Sequence, residues 1–217
     1  MIAYLILVHR YPGQFKRLFR AIYHSANYYL VHVDKRAGVR LQTEIQDFLS
    51  SFANASLLKS QSILWGGYSM VDVELRGIEK LLKINSEWEF FINLSAQDFP
   101  LKSQTHIQDF LSRNIGNDFI RVTNQRKVRP ETLNRIQNYF IEFSNRVLHT
   151  SVKRLYLRGV TPHIGNQWMI LSRKFCEFVC YSPEVERFKR FYRHTFIPDE
   201  AFFKTVIMNT NYKGIIV

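Results

Sequence analysis

The chain has 217 residues, a length that fits one domain or a tight pair of subdomains. Its 30 Lys and Arg against 18 Asp and Glu give a net charge of +12, so we expect an anionic ligand or surface nearby. Hydrophobic residues make up 46% and charged residues 22%, a globular composition that argues against disorder. The two cysteines, Cys176 and Cys180, exclude a disulfide scaffold and are expected to be reduced thiols.

Strands and helices alternate along the first half of the chain. Apolar runs predict strands at Met1–Val8, Tyr28–Val33, Glu89–Leu94 and Phe119–Val122. Apolar residues at helical spacing predict helices that follow Pro12, Leu41, Ser69 and Ile107. Ser69 with Asp72 reads as a capping box at the start of the third helix. No apolar stretch reaches the roughly 20 residues that a membrane-spanning helix needs.

The second half is less regular. The spacing of Leu133, Ile136, Phe140 and Phe143 predicts a helix over Glu131–Leu148. A strand at Met169–Leu171 and a helix at Arg173–Cys180 follow. Pro198 starts a last predicted helix, with Glu200 in its first turn. No repeat or Gly/Ser linker interrupts the chain, which predicts a single domain over residues 1–217.

This alternation predicts an α/β fold with a mainly parallel central sheet, whose ligands bind beyond the carboxyl ends of the strands. His9, Asp34 and Asp98 each follow a predicted strand. From the residues alone, each keeps two interpretations. Asp34 binds a nucleotide or pairs with a neighbouring cation, His9 is a ligand or a structural histidine, and Asp98 is a ligand or a turn cap.

Two further features carry possible chemistry. Trp65-Gly66-Gly67-Tyr68 allows a close backbone approach beside an aromatic wall, or is simply a turn before a helix. Glu200 is a general base for a hydroxyl nucleophile, or an acid favoured by the helix dipole.

Five ordered motifs carry a resemblance to a known family. They are Val31-His32-Val33-Asp34-Lys35, Trp65-Gly66-Gly67-Tyr68-Ser69, Phe91 to Pro100 (Phe-Ile-Asn-Leu-Ser-Ala-Gln-Asp-Phe-Pro), Gly165-Asn166-Gln167-Trp168, and Pro198-Asp199-Glu200-Ala201-Phe202-Phe203-Lys204-Thr205. Together they resemble the core-2/I-branching β-1,6-N-acetylglucosaminyltransferase and peptide O-xylosyltransferase family over nearly the whole chain. The resemblance implies a GT-A-type, Rossmann-like glycosyltransferase fold. It also implies sugar transfer from a UDP-sugar with inversion and without a metal.

The resemblance assigns roles to individual residues. Glu200 is implied as the catalytic base that deprotonates the acceptor hydroxyl. The donor-binding residues implied are Val8, His9, Asp34, Arg36, Trp65, Asp98, Gln167 and Trp168. Arg126, Lys127 and Arg129 are implied to bind a glycan or glycolipid acceptor. Gln167 stands where xylosyltransferases carry Asp, so N-acetylglucosamine is the first expectation for the sugar, with xylose or another sugar as the alternative.

No cofactor is expected. The chain contains no Asp-x-Asp sequence, so Lys and Arg must neutralise the charge that develops on the leaving UDP. In the family the diphosphate-binding cations lie further downstream than Val217. Two explanations stay open: the chain is truncated there, or Arg173, Lys204 or Lys213 takes their place.

The chain lacks the membrane anchor and disulfide cysteines of animal members. We therefore expect a bacterial, cytoplasmic enzyme, peripheral to the inner membrane, that makes surface polysaccharide or lipo-oligosaccharide. The alternative is a non-catalytic module that binds a glycan or an anionic lipid. A nucleic-acid partner is not expected, because only the net charge favours one and no nucleic-acid-binding motif accompanies it.

Overall fold

The computed structural model describes all 217 residues, Met1–Val217. Its strands are β1 (Ile2–Val8), β2 (Tyr28–Val33), β3 (Ala55–Leu58), β4 (Phe90–Ser95), β5 (Asn117–Asp118), β6 (Thr123–Asn124), β7 (Asn138–Phe143), β8 (Arg146–Lys153), β9 (His163–Ile164), β10 (Ile170–Ser172) and β11 (Ile215–Ile216). The central sheet has the order β10-β4-β1-β2-β3. Its strands are parallel except β10, which runs antiparallel to β4. The predicted α/β class with a mainly parallel sheet is confirmed.

The helices are α1 (Pro12–Ile22), α2 (Val39–Leu49), α3 (Ser69–Ile84), α4 (Gln104–Ser112), α5 (Gln125–Val128), α6 (Asn134–Gln137), α7 (Arg173–Tyr181), α8 (Pro183–Tyr192) and α9 (Phe202–Asn209). Short 3₁₀ turns lie at Lys35–Ala37, Pro130–Thr132 and Pro198–Glu200. None of these helices combines the length and apolar character that crossing a bilayer requires.

Both faces of the sheet are covered by helices. Side chains alternate along β1, so Tyr4 and Ile6 join the core formed with α1 and α2, while Leu5 and Leu7 join the core formed with α3 and α7 to α9. This burial on both sides explains why β1 is an unbroken apolar run with all seven residues buried.

The parallel strands bring their carboxyl ends to one edge. Val8 pairs with Val33, and Leu7 pairs with Ser95, so the segments that follow β1, β2 and β4 leave the sheet side by side. This edge positions the candidate site.

Several predictions about the second half were wrong. The predicted helix over Glu131–Leu148 is a 3₁₀ turn, the short α6 and the hairpin of β7 and β8. Phe119–Val122 is not a strand, because only Phe119 forms a bridge, to Ile170. The last helix begins at Phe202, so Glu200 lies in the preceding 3₁₀ turn.

The capping box was also wrong. The Ser69 hydroxyl accepts a hydrogen bond from the Leu64 amide instead of capping α3, and Asp72 accepts from Gln61. Strand β3 was not predicted. The expectation of reduced thiols holds in the fold, where Cys176 and Cys180 are both free and Cys176 is buried.

Candidate functional site

Five of the predicted donor-binding residues surround one cavity at the carboxyl edge of β1 and β2. The cavity has a volume of about 180 Å³. It is lined by Leu7, Val8, His9, His32, Asp34, Arg36, Ile63, Trp65 and Met70. The sheet therefore brings together residues from three separate segments of the sequence.

Asp34 is fully engaged within the protein. Its Oδ1 accepts from the Arg36 amide at 2.8 Å and from Arg36 Nε at 3.3 Å. Its Oδ2 accepts from Arg36 Nη2 at 2.9 Å and from the Ile63 amide at 3.4 Å. These bonds use the acceptor positions of the carboxylate. The structure thus supports the ion-pair interpretation of Asp34, and it leaves the Arg36 side chain, 41% exposed, as the partner that faces the cavity.

Two histidines line the same cavity. Burial lowers the pKa of His9, and the neighbouring Arg10 lowers it further. Burial lowers the pKa of His32 to about 4, so this ring is neutral at pH 7. His32 Nε2 accepts from the Gln61 amide at 3.1 Å, which places the ring proton on Nδ1. Nδ1 is buried and has no hydrogen-bond partner in the protein.

Trp65 forms an exposed aromatic wall of the cavity, with 74% of the residue accessible. Its ring lies edge-on to Phe196, with 5.6 Å between centroids. Gly66 follows with φ of +78°, and a Cβ there would lie 2.4 Å from the Phe196 ring. The Gly66 carbonyl accepts from the Ile197 amide at 2.8 Å. The Trp-Gly-Gly turn is therefore bound to the segment that directly precedes Glu200.

The other predicted donor residues lie in the adjoining region. Gln167 Nε2 is 3.5 Å from the sulfur of Met70, a residue that lines the 180 Å³ cavity. Asp98 and Trp168 line a separate, more open cavity of about 400 Å³. Asp98 Oδ2 accepts from the Ser95 amide at 2.8 Å, so this side chain caps its own turn, and burial raises its pKa.

Glu200 lies in the 3₁₀ turn Pro198–Glu200, which Ile197 enters with φ of 50°. Its Oε2 accepts from Arg135 Nη1 at 2.9 Å, and its side chain is 34% exposed. The Glu200 carbonyl accepts from the Gly165 amide at 2.9 Å, which joins this turn to the Gln167 loop. The preceding Asp199 is buried, and burial raises its pKa to about 6. Glu200 is thus an accessible carboxylate on a fixed backbone.

The predicted acceptor-binding cations lie on and after α5. Asn124 caps this short helix by accepting from the Arg126 and Lys127 amides. Arg129 forms an ion pair with Glu131 at 2.6 Å. The hydrogen bond from this pair raises the pKa of Arg129, and the charge of Glu200 contributes in the same direction.

Comparisons with known proteins show which family the chain belongs to. The model of the Core-2/I-Branching enzyme family matches residues 2–216. The chain belongs to the Core-2/I-Branching enzyme family. It is 34% identical to xylosyltransferase 1 of Rattus norvegicus, over 96% of this chain and 26% of the rat protein. It is 33% identical to xylosyltransferase 2 of Homo sapiens, over 96% of this chain and 24% of the human protein.

The chain thus spans about a quarter of the length of these curated relatives. Among solved structures, Staphylococcus aureus TarS 1–349 in complex with UDP-GlcNAc aligns with a TM-score of 0.35 and 13% identity. That alignment covers 51% of this chain and 30% of TarS. The family is one of glycosyltransferases.

None of the three cations named as substitutes for the family's diphosphate ligands lines the donor cavity. Arg173 bonds to Glu177 and to the Asn85 carbonyl, which precedes β4 at the opposite edge of the sheet. The backbone of Lys213 accepts from Lys174, near β11. Lys204 is fully buried and donates to the Asp199 carbonyl at 3.0 Å.

Several residues of the site were not predicted from the sequence. His32 lies inside the Val31–Lys35 motif. It is aligned with Leu7 in the pairing of β1 and β2, and this alignment is the signal that could have identified it as a site residue. Arg135 lies in the segment that was predicted to be a helix, and the sequence assigned no functional role to it. No group of three or more His, Cys, Asp or Glu side chains converges anywhere in the chain.

Proposed function

We propose that this chain is an inverting glycosyltransferase domain that uses a UDP-sugar. One observation carries the proposal: the Gly66 carbonyl accepts from the Ile197 amide at 2.8 Å. This bond links the aromatic wall of the nucleotide cavity to the turn that holds an accessible carboxylate. A donor bound beside Trp65 and a base at Glu200 then share one rigid frame, as an in-line displacement needs.

In the proposed reaction Glu200 takes the proton of the acceptor hydroxyl. The hydroxyl oxygen forms a bond to the anomeric carbon as the bond from that carbon to the β-phosphate oxygen breaks. UDP leaves with the bonding electron pair, and the configuration of the sugar inverts. Arg36 and the Nδ1–H of His32 face the cavity where the nucleotide binds. Arg126, Lys127 and Arg129 bind the acceptor, which is a glycan or glycolipid.

The donor sugar is part of the proposal. Gln167 in place of Asp favours N-acetylglucosamine, whereas the names of the relatives point to xylose. The two UDP-sugars are therefore compared side by side. Peripheral association with an anionic membrane surface is proposed from the net charge of +12.

The test is mass-spectrometric detection of transfer to a panel of glycan acceptors, with UDP binding followed by calorimetry. Glu200→Gln is expected to lower transfer by about 10²- to 10⁴-fold and to leave UDP affinity within about twofold. The matched control is Glu87→Gln, an exposed glutamate in the loop before β4 that forms no ion pair. Full transfer by Glu200→Gln contradicts the assigned base. Absence of UDP binding by the unaltered chain contradicts the donor and supports a glycan-binding module.

A further inference from the structure

Four polar side chains are buried together beneath the Glu200 turn and outside the donor cavity. They are Glu74 of α3, Asn93 of β4, Asp199 of the 3₁₀ turn and Lys204 of α9, each no more than 7% exposed. A buried carboxylate and a buried ammonium are costly unless something compensates them. The contacts of this group show what the fold gains from it.

One arm of the group holds the Gln167 loop. Glu74 Oε1 accepts from Asn93 Nδ2 at 2.9 Å. The same Asn93 amide donates to the Gln167 carbonyl at 3.2 Å, and Asn93 Oδ1 accepts from the Met169 amide at 3.0 Å. Asn93 therefore fixes the backbone on both sides of Trp168, and Glu74 fixes the orientation of Asn93.

The other arm holds the Glu200 turn. Lys204 Nζ donates to the Asp199 carbonyl at 3.0 Å. A Cβ on Gly165 would lie 2.0 Å from the Arg121 carbonyl and 3.4 Å from Cε of Lys204. Because Gly165 also donates to the Glu200 carbonyl, the lysine lies at the point where the two loops meet.

The charges of the two arms compensate one another. Burial raises the pKa of Glu74 and lowers the pKa of Lys204, and the charge of each opposes that effect on the other. Glu74 Oε2 has no hydrogen-bond partner, the charge of Asp199 raises the pKa of Glu74 further, and the charge of Lys204 opposes both effects. Lys204 also faces Asp199 and Glu200, and Arg135 faces this acidic pair from α6.

We propose that Glu74, Asn93 and Lys204 are positioning residues that hold the Gln167 loop and the Glu200 turn in a fixed position relative to each other. Asn93 and Lys204 form hydrogen bonds to the backbone of these two segments, and Glu74 orients Asn93. Three apolar side chains at these positions would form no such hydrogen bonds. Apolar replacement of buried ion pairs often preserves stability, so stability alone does not account for this group. The inference rests on the proposed transferase, because it assigns the two segments to donor and base.

The test compares Lys204→Met and Glu74→Gln with two exposed controls on α3, Lys83→Met and Glu79→Gln, which pair with each other at the surface. Loss of the buried cation removes a charge that lowers the pKa of Asp199. The NMR titration midpoint of the Asp199 carboxyl carbon is therefore expected to rise by about one pH unit in Lys204→Met. Transfer by this variant is expected to show kcat lowered roughly 10- to 100-fold. Its KM for the UDP-sugar is expected to stay within about threefold, because Lys204 bonds to the Glu200 turn, whereas Glu74 and Asn93 hold the Gln167 loop.

Glu74→Gln keeps the hydrogen bond to Asn93 and serves if Lys204→Met does not fold. It removes a carboxylate that raises the pKa of Lys204. The titration midpoint of the Lys204 Cε signal is then expected to fall by about one pH unit. Unchanged midpoints in both variants overturn the charge coupling, and equal losses of kcat and donor affinity in Lys204→Met overturn the positioning role. The titrations need no activity, so an inactive unaltered chain contradicts only the transferase proposal.

Discussion

Arg135 Nη1 lies 2.9 Å from Oε2 of Glu200, and the Arg135 carbonyl accepts from the Phe196 amide at 3.0 Å. One residue of α6 therefore binds both the carboxylate proposed as the base and the backbone of Phe196, whose ring packs against Trp65. Removal of the guanidinium frees the Glu200 side chain to change rotamer. We expect Arg135→Met to lower kcat by about 10-fold and to leave the KM for the UDP-sugar within about twofold. Steady-state kinetics check this, with Arg146→Met on the exposed hairpin as control. A selective rise in the donor KM contradicts it.

His32 leads to a prediction about the nucleobase. Its buried Nδ1–H suits an acceptor such as the O4 carbonyl of uracil, whereas cytosine has an amino group at that position. We expect His32→Phe to weaken UDP binding by about 10-fold and to reduce the preference for UDP over CDP. Calorimetry with both nucleotides measures this. His24→Phe, at an exposed position after α1, is the control, and an unaltered preference contradicts the assignment.

Asp199 makes stability depend on pH. Its pKa is about 6 in the folded chain against 3.8 for the free group, so the folded state binds the proton more tightly. Protonation of Asp199 therefore stabilises the folded state. The stabilisation is complete below about pH 4 and is lost as the pH rises through 6, which lowers the free energy of unfolding by about 3 kcal/mol. Burial also raises the pKa of Asp118, so the difference between the unaltered chain and Asp199→Asn isolates the effect. In urea unfolding, the free energy of unfolding of the unaltered chain minus that of Asp199→Asn is expected to fall as the pH rises from 4 to 7. A difference that does not change with pH contradicts the prediction.

Gly66 gives a prediction about folding. Its φ of +78° and the 2.4 Å approach of the Phe196 ring exclude a side chain. We expect Gly66→Ala to lower the free energy of unfolding by about 1–3 kcal/mol. Denaturant unfolding measures it, and Gly13→Ala is the control, because a Cβ at Gly13 meets nothing within 4 Å. Equal stability of the two variants contradicts the steric argument.

Metal independence remains a prediction from the family resemblance and from the absence of an Asp-x-Asp sequence. We expect transfer to continue in excess EDTA at no less than about half the initial rate, since the charge on the leaving UDP is met by cationic side chains. The measurement is UDP release before and after chelation, with manganese added back. Full loss in EDTA and recovery with manganese contradict this prediction.

The sequence was most informative where one physical signal decided the structure. β1, β2 and β4 are apolar runs buried on both faces, so their ends and the edge they share were predictable. The hairpin was not, because the spacing of Ile136, Phe140 and Phe143 also fits a helix. In the structure Phe140 stacks on His149 and Phe196, contacts between distant segments that local spacing does not contain.

The site was predictable to the extent that it follows those strand ends. The chemical state of its groups was not. The sequence left Asp34 as either a nucleotide ligand or the partner of a neighbouring cation, and only the structure shows the four hydrogen bonds that it accepts from Arg36 and Ile63. No signal in the sequence marked Glu74 as buried, whereas in the structure it is fully buried and accepts a hydrogen bond from Asn93 of β4.

The hairpin has one consequence for engineering. Glu142 of β7 accepts from the Ser69 amide at 2.7 Å, and a Cβ on Gly67 would lie 2.5 Å from its carboxyl group. Replacing this hairpin with the corresponding segment of a relative would therefore also disturb the start of α3. A successful chimera has to carry a glutamate at position 142 and a glycine at position 67 together. The hairpin and the Trp-Gly-Gly turn therefore have to be exchanged as a pair.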